Sequence, residues 1–420
     1  MLPLQSPLEA YRSDLSRHPS RTDFGRSDTV WLLVAHCLHR LSRAQGEARR
    51  TIAENCATAI SDLGSTVSPD TPEEEAMLAE LERIRAGLRS IDTKRGATQA
   101  VVAVRALALQ MADAGALWLA FSALGHVRLT ASAAPALDLG LAMADQAWVA
   151  RTIGDLDSAD ELYDGVLAAG SKYNVPELRA RAMLGLGVTS RVRGNYPSAR
   201  KWLREGLVVA ESAGLSELAA IGHQGLLIAA GTAGDYETAL VHGWAAFELA
   251  SGVAERQSEI LINLSQIALD AGQSKAARSG FLASMSRAES ARHRLPCIGG
   301  AAVASAAIGD AVSLASLAKL AEESISASAL PFESASVLRS LFEAYSHSGE
   351  VARAEEYRVR ARALARKHGF FEIVLATEPR EATVAARAES PSLTAESWNV
   401  IHSLEAMESE SGAAALVATP

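Results

Sequence analysis

The residues Gly194-Asn195-Tyr196-Pro197-Ser198-Ala199 form the clearest turn signal of this chain. They join two segments, 180–193 and 196–212, that have the apolar spacing of helices, and the last four of them begin the second segment. Glycine can end a helix because it adopts the left-handed conformation at no steric cost. Asn195 can cap the next helix by accepting its free backbone N–H groups, and Pro197 suits a first turn because it has no N–H to satisfy. The stretch therefore predicts a helical hairpin.

This turn recurs at nearly constant spacing along the chain. Intervals of 40, 40, 38, 37 and 40 residues separate six glycines that are each followed by a polar residue: Gly154, Gly194, Gly234, Gly272, Gly309 and Gly349. Gly115, 39 residues before the first, is a degenerate member of the series. An alanine stands five residues after most of these glycines, and Leu314 takes that place after Gly309. One hairpin cannot bury its apolar face alone, so the pattern predicts stacked hairpins.

The pattern resembles that of the tetratricopeptide repeat family over about residues 98–368, in about seven units. The family's small residue of helix A corresponds to Gly187, its helix B alanine to Ala199, and its next apolar position to Leu203. The interval near 40 residues exceeds the family's usual length of about 34. It is similar to the long-helix variety of kinesin light chains and of bacterial transcription activators and peptide sensors. The resemblance implies an all-α, right-handed superhelical solenoid of stacked antiparallel helix pairs.

Composition and charge argue against several other classes of protein. Of the 420 residues 49% are hydrophobic but only 5% aromatic, so small aliphatic side chains that suit close helix packing predominate. The net charge of −9 argues against a general nucleic-acid binder. Three dispersed cysteines exclude a disulfide scaffold. The sequence shows no membrane span and no secretory signal, so we expect a soluble, cytoplasmic protein, and its Ala- and Arg-rich usage favours a bacterial source.

The flanks of the repeats differ from them in composition. Residues 1–26 are rich in Ser, Arg and Pro and are expected to be loosely ordered. Residues 27–96 are expected to form a helical cap or degenerate repeats, and the repeat array is assigned to 97–370. Within the N-terminal segment the apolar spacing predicts three helices, near 27–43, 45–63 and 72–90.

Residues 371–420 are assigned to an acidic, flexible tail that contains one short amphipathic helix near 393–408. One interpretation is a helix that closes the exposed end of the array, as terminal repeats require. The alternative is a helical ligand that docks in the chain's own groove or on a partner through Trp398, Ile401 and Leu404. The sequence favours the cap.

No catalytic, cofactor or metal site is predicted. His36, Cys37 and His39 resemble ligands, but their helical neighbours are apolar and no second Cys/His cluster lies at metal spacing. Gly185 and Gly187 resemble a phosphate loop only superficially, because the lysine and the preceding strand are missing. Close packing of helices explains these two glycines better.

In tetratricopeptide arrays helix A, the first helix of each pair, lines the concave face on which peptides dock. Counting back from each turn glycine places ten side chains on that face: Arg105, Asp145, Trp148, Arg151, Arg181, Arg191, Gln224, Asn263, Gln266 and Arg339. Several arginines on one face of an acidic protein suit an acidic peptide or a chain carboxylate. Trp148 is a candidate aromatic anchor. Asn263 lies where the family often holds a ligand backbone, although the lysines of its carboxylate clamp are missing.

These features predict a non-enzymatic scaffold or adaptor that binds a protein or an acidic peptide. One alternative is a regulator that senses a peptide or small ligand and acts on a separate effector, because no DNA-binding or ATPase domain is evident. An enzyme without a recognisable motif is the least favoured alternative.

Overall fold

The structure is a computed structural model that describes residues 6–17, 26–66, 69, 71–288, 290–327, 330–378 and 393–410. The described residues contain twenty α-helices and no strand, as the sequence predicts for an all-α fold. Contacts divide the chain into two compact units, 1–215 and 216–420.

The described residues of the first unit form ten helices, and consecutive helices pack against each other. Their bounds are α1 Pro7–Arg17, α2 Arg26–Arg43, α3 Gly46–Thr66, α4 Pro72–Arg89, α5 Lys94–Asp113, α6 Leu117–Thr130, α7 Ala136–Ile153, α8 Leu156–Lys172, α9 Pro176–Val192 and α10 Tyr196–Ser212. Helices α2, α3 and α4 confirm the three helices that the sequence predicts before the repeats, to within three residues at each end.

The part of the second unit that the structure describes also contains ten helices. Their bounds are α11 Ser216–Thr232, α12 Tyr236–Leu249, α13 Ala254–Asp270, α14 Ser274–Arg287, α15 Ala291–Ala307, α16 Ala311–Ser326, α17 Pro331–His347, α18 Val351–His368, α19 Phe371–Ala376 and α20 Ala395–Glu410. Consecutive helices from α11 to α19 pack together, whereas α20 packs on α14 and α12.

The predicted turns lie between the two helices of each pair, which we call helix A and helix B. All six turn glycines have a positive φ, between 77° and 100°. The side chains of Asp155, Asn195, Asp235 and Asp310 each accept a backbone N–H of the following helix B. The expected combination of a left-handed glycine and a capping residue is therefore confirmed at these four turns.

The hairpins approach each other closely where an aromatic ring faces a glycine. Tyr163 on α8 packs so close to Gly185 on α9 that a Cβ at Gly185 would lie 2.3 Å from the ring. Phe281 on α14 and Gly300 on α15 show the same relationship, because a Cβ at Gly300 would lie 2.3 Å from the ring of Phe281. The absence of a side chain at Gly185 thus lets α8 and α9 share a core that contains few aromatic rings.

The N-terminal segment differs from the prediction of loose order over 1–26. Pro7–Arg17 forms helix α1, while residues 1–5 and 18–25 lie outside the described residues. The helix begins at a capping box, because Ser6 N–H donates to Glu9 Oε2 at 2.9 Å and Glu9 N–H donates to Ser6 Oγ at 3.4 Å. The prediction from composition is wrong over α1 because this local cap stabilises a helix.

The C-terminal segment also contains more helix than the expected flexible tail. Phe371–Ala376 forms α19, which packs on α18 and α17, and Ile373 is buried there. Residues 379–392 and 411–420 of the expected tail lie outside the described residues. Helix α20 lies where the sequence predicts an amphipathic helix near 393–408.

Candidate partner-binding residues

Two of the predicted partner-binding side chains bind each other. Arg105 on α5 donates from Nε to Asp145 Oδ2 on α7 at 2.6 Å. Both side chains are largely buried, with 19% and 13% of their surface exposed. This ion pair joins the helices A of two neighbouring hairpins, so neither charge is available to a ligand without breaking the pair.

Two further side chains of the set also have partners inside the first unit. Arg181 Nε lies 3.2 Å from Glu177 Oε1, one helical turn earlier on α9. Trp148 is half-buried and packs against the apolar core of the unit. Trp148 therefore contributes to the core as well as to the surface of α7.

Arg151 and Arg191 differ from the other arginines of the set. Among the residues that the structure describes, neither forms an ion pair with a carboxylate. Arg191 Nε is buried and has no hydrogen-bond acceptor among the described residues. Burial and the nearby positive charge of Arg151 lower the pKa of Arg191 from its usual value. The two helices A, α7 and α9, thus carry two guanidinium groups whose charges act on each other and that form no ion pair with a carboxylate among the described residues.

Charged residues of α7, α8 and α9 act on one buried phenol, Tyr163. Burial raises the pKa of Tyr163, and the charges of Arg151, Asp145 and Arg181 act on the same hydroxyl. Tyr163 itself is 4% exposed. Side chains that are far apart in sequence therefore converge on one region of the first unit.

The predicted side chains of the second unit all have partners of their own. Gln224 Nε2 donates to Glu259 Oε1 at 2.8 Å, which links α11 to α13. Asn263 donates to the backbone oxygen of Glu259, and Gln266 donates to Asp270 Oδ1 at 2.8 Å. On α17, Arg339 Nη1 lies 3.5 Å from Glu343 Oε2. No unpaired positive charge of the predicted set lies in this unit.

The amphipathic helix α20 packs on the helices B of the second unit. Ile401 and Leu404 are buried, whereas Trp398 is 40% exposed on the outer face of α20. Leu404 reaches Gly280 of α14, and Ser397 Oγ donates to the backbone oxygen of Glu237 on α12 at 3.4 Å. The interpretation as a cap on the end of the array is wrong, because among the described residues α20 packs mainly on α12 and α14, which are not the last helices of the array.

His36, Cys37 and His39, which resemble metal ligands in the sequence, do not share one environment. Cys37 is buried, while His39 Nδ1 lies 3.1 Å from Nε2 of the buried His126 on α6. Within the described ranges no group of three or more His, Cys, Asp or Glu side chains has the arrangement of a metal site. None of the helices in those ranges is both long and apolar enough to cross a membrane.

Solved structures share this architecture at low sequence identity. A Rap protein complexed with competence and sporulation factor matches with a TM-score of 0.50 and 13% identity, over 82% of this chain and 99% of that chain. A signal transduction ATPase with numerous domains and a tetratricopeptide repeat sensor, from Pyrococcus horikoshii, matches with a TM-score of 0.53 and 11% identity. That match covers 80% of this chain and 56% of the ATPase, so the chain spans little more than half of it.

These likenesses define the class of the fold. No protein-family model matches the chain, and no curated protein matches its sequence. At identities of 11% and 13% the solved structures show the fold alone. The chain has the fold of a helical repeat protein of the tetratricopeptide type.

Proposed function

We propose that this chain is a scaffold that binds an acidic peptide or an acidic segment of another protein. The observation that carries the proposal is the pair Arg151 and Arg191, which lies on two neighbouring helices A without a carboxylate partner among the described residues. A carboxylate placed between them would form charge-assisted hydrogen bonds, the strongest kind available to a surface ligand.

The partial burial of Arg191 strengthens this proposal. Partial burial removes part of the hydration of the Arg191 guanidinium, so a ligand carboxylate competes with less water there than at an exposed arginine. Arg105 and Arg181 have carboxylate partners within the chain and gain less from an acidic ligand. Trp148 on α7 is half-buried and offers an apolar surface beside Arg151.

A selection from a random-peptide display library on the full chain tests the proposal. We expect the selected peptides to be enriched in Asp and Glu. Their affinity should fall roughly hundred- to ten-thousandfold in the variant Arg151→Gln/Arg191→Gln, because each lost charge-assisted hydrogen bond is worth about 1.5–3 kcal/mol and the variant loses one at each arginine. Higher salt should weaken binding to the wild-type chain more than to the variant.

The matched control removes a positive charge that already has partners. Arg193 is near Arg191 in sequence but pairs with Asp157 and Asp160. Arg193→Gln is therefore expected to leave peptide affinity within about twofold, which is less than 0.5 kcal/mol. Equal loss in the two variants, or no enrichment in acidic residues, contradicts the proposal.

The alternative function is a regulator that senses a peptide. It is favoured by the similarity in fold to a factor-bound Rap protein and to an ATPase with a repeat sensor. A sensor must change conformation when it binds, whereas a static scaffold need not. Hydrogen exchange with and without a selected peptide separates the two functions. Changed protection in helices that do not line the Arg151 and Arg191 site indicates a sensor.

We also propose that the hairpins belong to the long-interval variety of the tetratricopeptide family and that the chain acts without catalysis, in the cytoplasm of a bacterium. The left-handed glycines spaced by 37 to 40 residues support the first part of this proposal.

A further inference from the structure

A pocket of about 430 Å³ opens between α6, α7 and α8 of the first unit. Its volume lies within the range of pockets that hold small organic ligands. Leu139 and Met143 from α7 and Ala169 from α8 form much of its apolar wall. Leu129 and Tyr173 lie at its edge and are 58% and 54% exposed, so a ligand would cover apolar surface that water now contacts.

Arg128 is the one charged side chain among the described residues that line this pocket. Its Nη1 donates to the amide oxygen of Gln146, which is buried and itself donates from Nε2 to the backbone oxygen of Phe121 at 3.2 Å. The partner of the guanidinium is therefore neutral. Within the described part of the chain Arg128 forms no ion pair with a carboxylate.

The electrostatics of the pocket favour an anion. Burial lowers the pKa of Arg128 from its usual value because the charged guanidinium has lost part of its hydration. Lys172 adds a second positive charge near the edge, with Nζ 5.1 Å from the centre of the Tyr173 ring. A ligand carboxylate would accept hydrogen bonds from the remaining donors of Arg128, which Gln146 does not occupy.

We infer that this pocket binds a small monocarboxylate with an apolar chain, with the carboxylate on Arg128 and the chain against Leu139, Met143 and Tyr173. Among the described residues Arg128 is the one charged side chain that lines this largely apolar pocket, so it matches a single anion at the end of an apolar molecule. The site is distinct from Arg151 and Arg191, so it stands independently of the proposed peptide binding.

Calorimetric titration of the full chain with sodium octanoate tests this inference, and 1-octanol is the uncharged comparison. We expect saturable binding of octanoate that weakens roughly ten- to hundredfold in Arg128→Gln, while the affinity for octanol stays unchanged. The variant Arg204→Gln removes the same charge from an exposed position on α10 that does not line the pocket, and it should bind octanoate as the wild-type chain does.

A second variant keeps the test valid if Arg128→Gln does not fold. Ala169→Phe fills the apolar wall without changing the charge and should abolish the binding of octanoate and octanol alike. The inference is overturned if octanol binds the wild-type chain as tightly as octanoate does. It is also overturned if no saturable octanoate binding occurs in the millimolar range, or if binding survives both pocket variants.

Discussion

The carboxylate of Asp14 on α1 caps α6 by accepting the backbone N–H of Leu119 at 3.0 Å and that of Trp118 at 2.9 Å. The residue at the usual capping position of α6 is Ala116, which has no side-chain acceptor. Asp14, which is 104 residues distant from Trp118, therefore caps α6, whereas Asp155 and Asn195 cap the helices that directly follow them. This contact fixes α1 on the first hairpin of the repeats.

Loss of this cap is expected to destabilise the first unit. Asp14→Ala should lower the free energy of unfolding by about 1–2 kcal/mol, because two N–H groups at the start of α6 lose their acceptor. Asp14→Asn should cost less, since its amide oxygen still accepts. Urea unfolding measures the difference. The control Asp62→Ala changes an exposed residue of α3 and should stay within about 0.5 kcal/mol; equal effects of the two alanine variants contradict the cap.

The turn glycines are expected to act through backbone conformation alone. Gly194 has a φ of 77°, and a Cβ added there would meet no atom within 4 Å. Gly194→Ala should therefore cost about 1 kcal/mol from the left-handed conformation and not from a clash. Gly194→Asn should cost less, because asparagine tolerates this region, as Asn174 does at a φ of 52°.

A glycine inside a helix is the matched comparison in the same urea experiment. A Cβ at Gly187 would lie 2.7 Å from Cγ of Leu203, so Gly187→Ala forces α9 and α10 apart. We expect a loss of about 1–3 kcal/mol from this overpacking. If Gly194→Asn proves as costly as Gly194→Ala, the backbone explanation for the turn is wrong.

The amphipathic helix α20 is expected to be held by its buried face. Leu404→Ala should increase the rate of amide exchange in α20 strongly, because truncation of a buried leucine typically costs about 2–5 kcal/mol. Trp398→Ala changes an exposed side chain that stacks on His402, and its effect should stay near 0.5 kcal/mol. Hydrogen exchange resolved to α20 and α14 measures both. Equal exchange in the two variants would mean that α20 is not anchored through Leu404.

The parts of the fold that depend on neighbouring residues could be predicted from the sequence. Each turn combines glycine with a capping residue a few positions away, and the structure confirms that geometry at Asp155 and Asp310. The capping box Ser6–Glu9 is equally local, but the composition of residues 1–26 led to the wrong expectation. The cap by Asp14 and the position of α20 on α14 depend on residues that are far apart, so no local pattern encodes them.

The candidate site was predictable only in outline. Counting from the turn glycines selects positions on helices A, but it does not show which charges neutralise each other. Arg105 and Asp145 are 40 residues apart, as are Thr98 and Asp138, whose side chains also bond, at 3.0 Å. An interval close to the length of one helix pair places such complementary side chains on neighbouring helices A. The presence of a carboxylate 40 residues later therefore distinguishes the paired Arg105 from Arg151.

Acidification is expected to weaken the packing of α2 on α6 through the histidine pair. Neutral His39 and His126 share one hydrogen bond of 3.1 Å, and this bond is impossible when both rings are protonated. Burial lowers the pKa of His39 below its usual value near 6.5; Arg43 and His36 act in the same direction, and Glu9 on α1 opposes them. The unfolded chain therefore binds the proton first, so stability is full above about pH 6.5 and is lost as the pH falls from there toward the folded pKa. Urea unfolding at about pH 7.5 and about pH 5.5 should show a larger loss of stability for the wild-type chain than for His39→Gln. Identical losses would mean that protonation of His39 is not linked to folding.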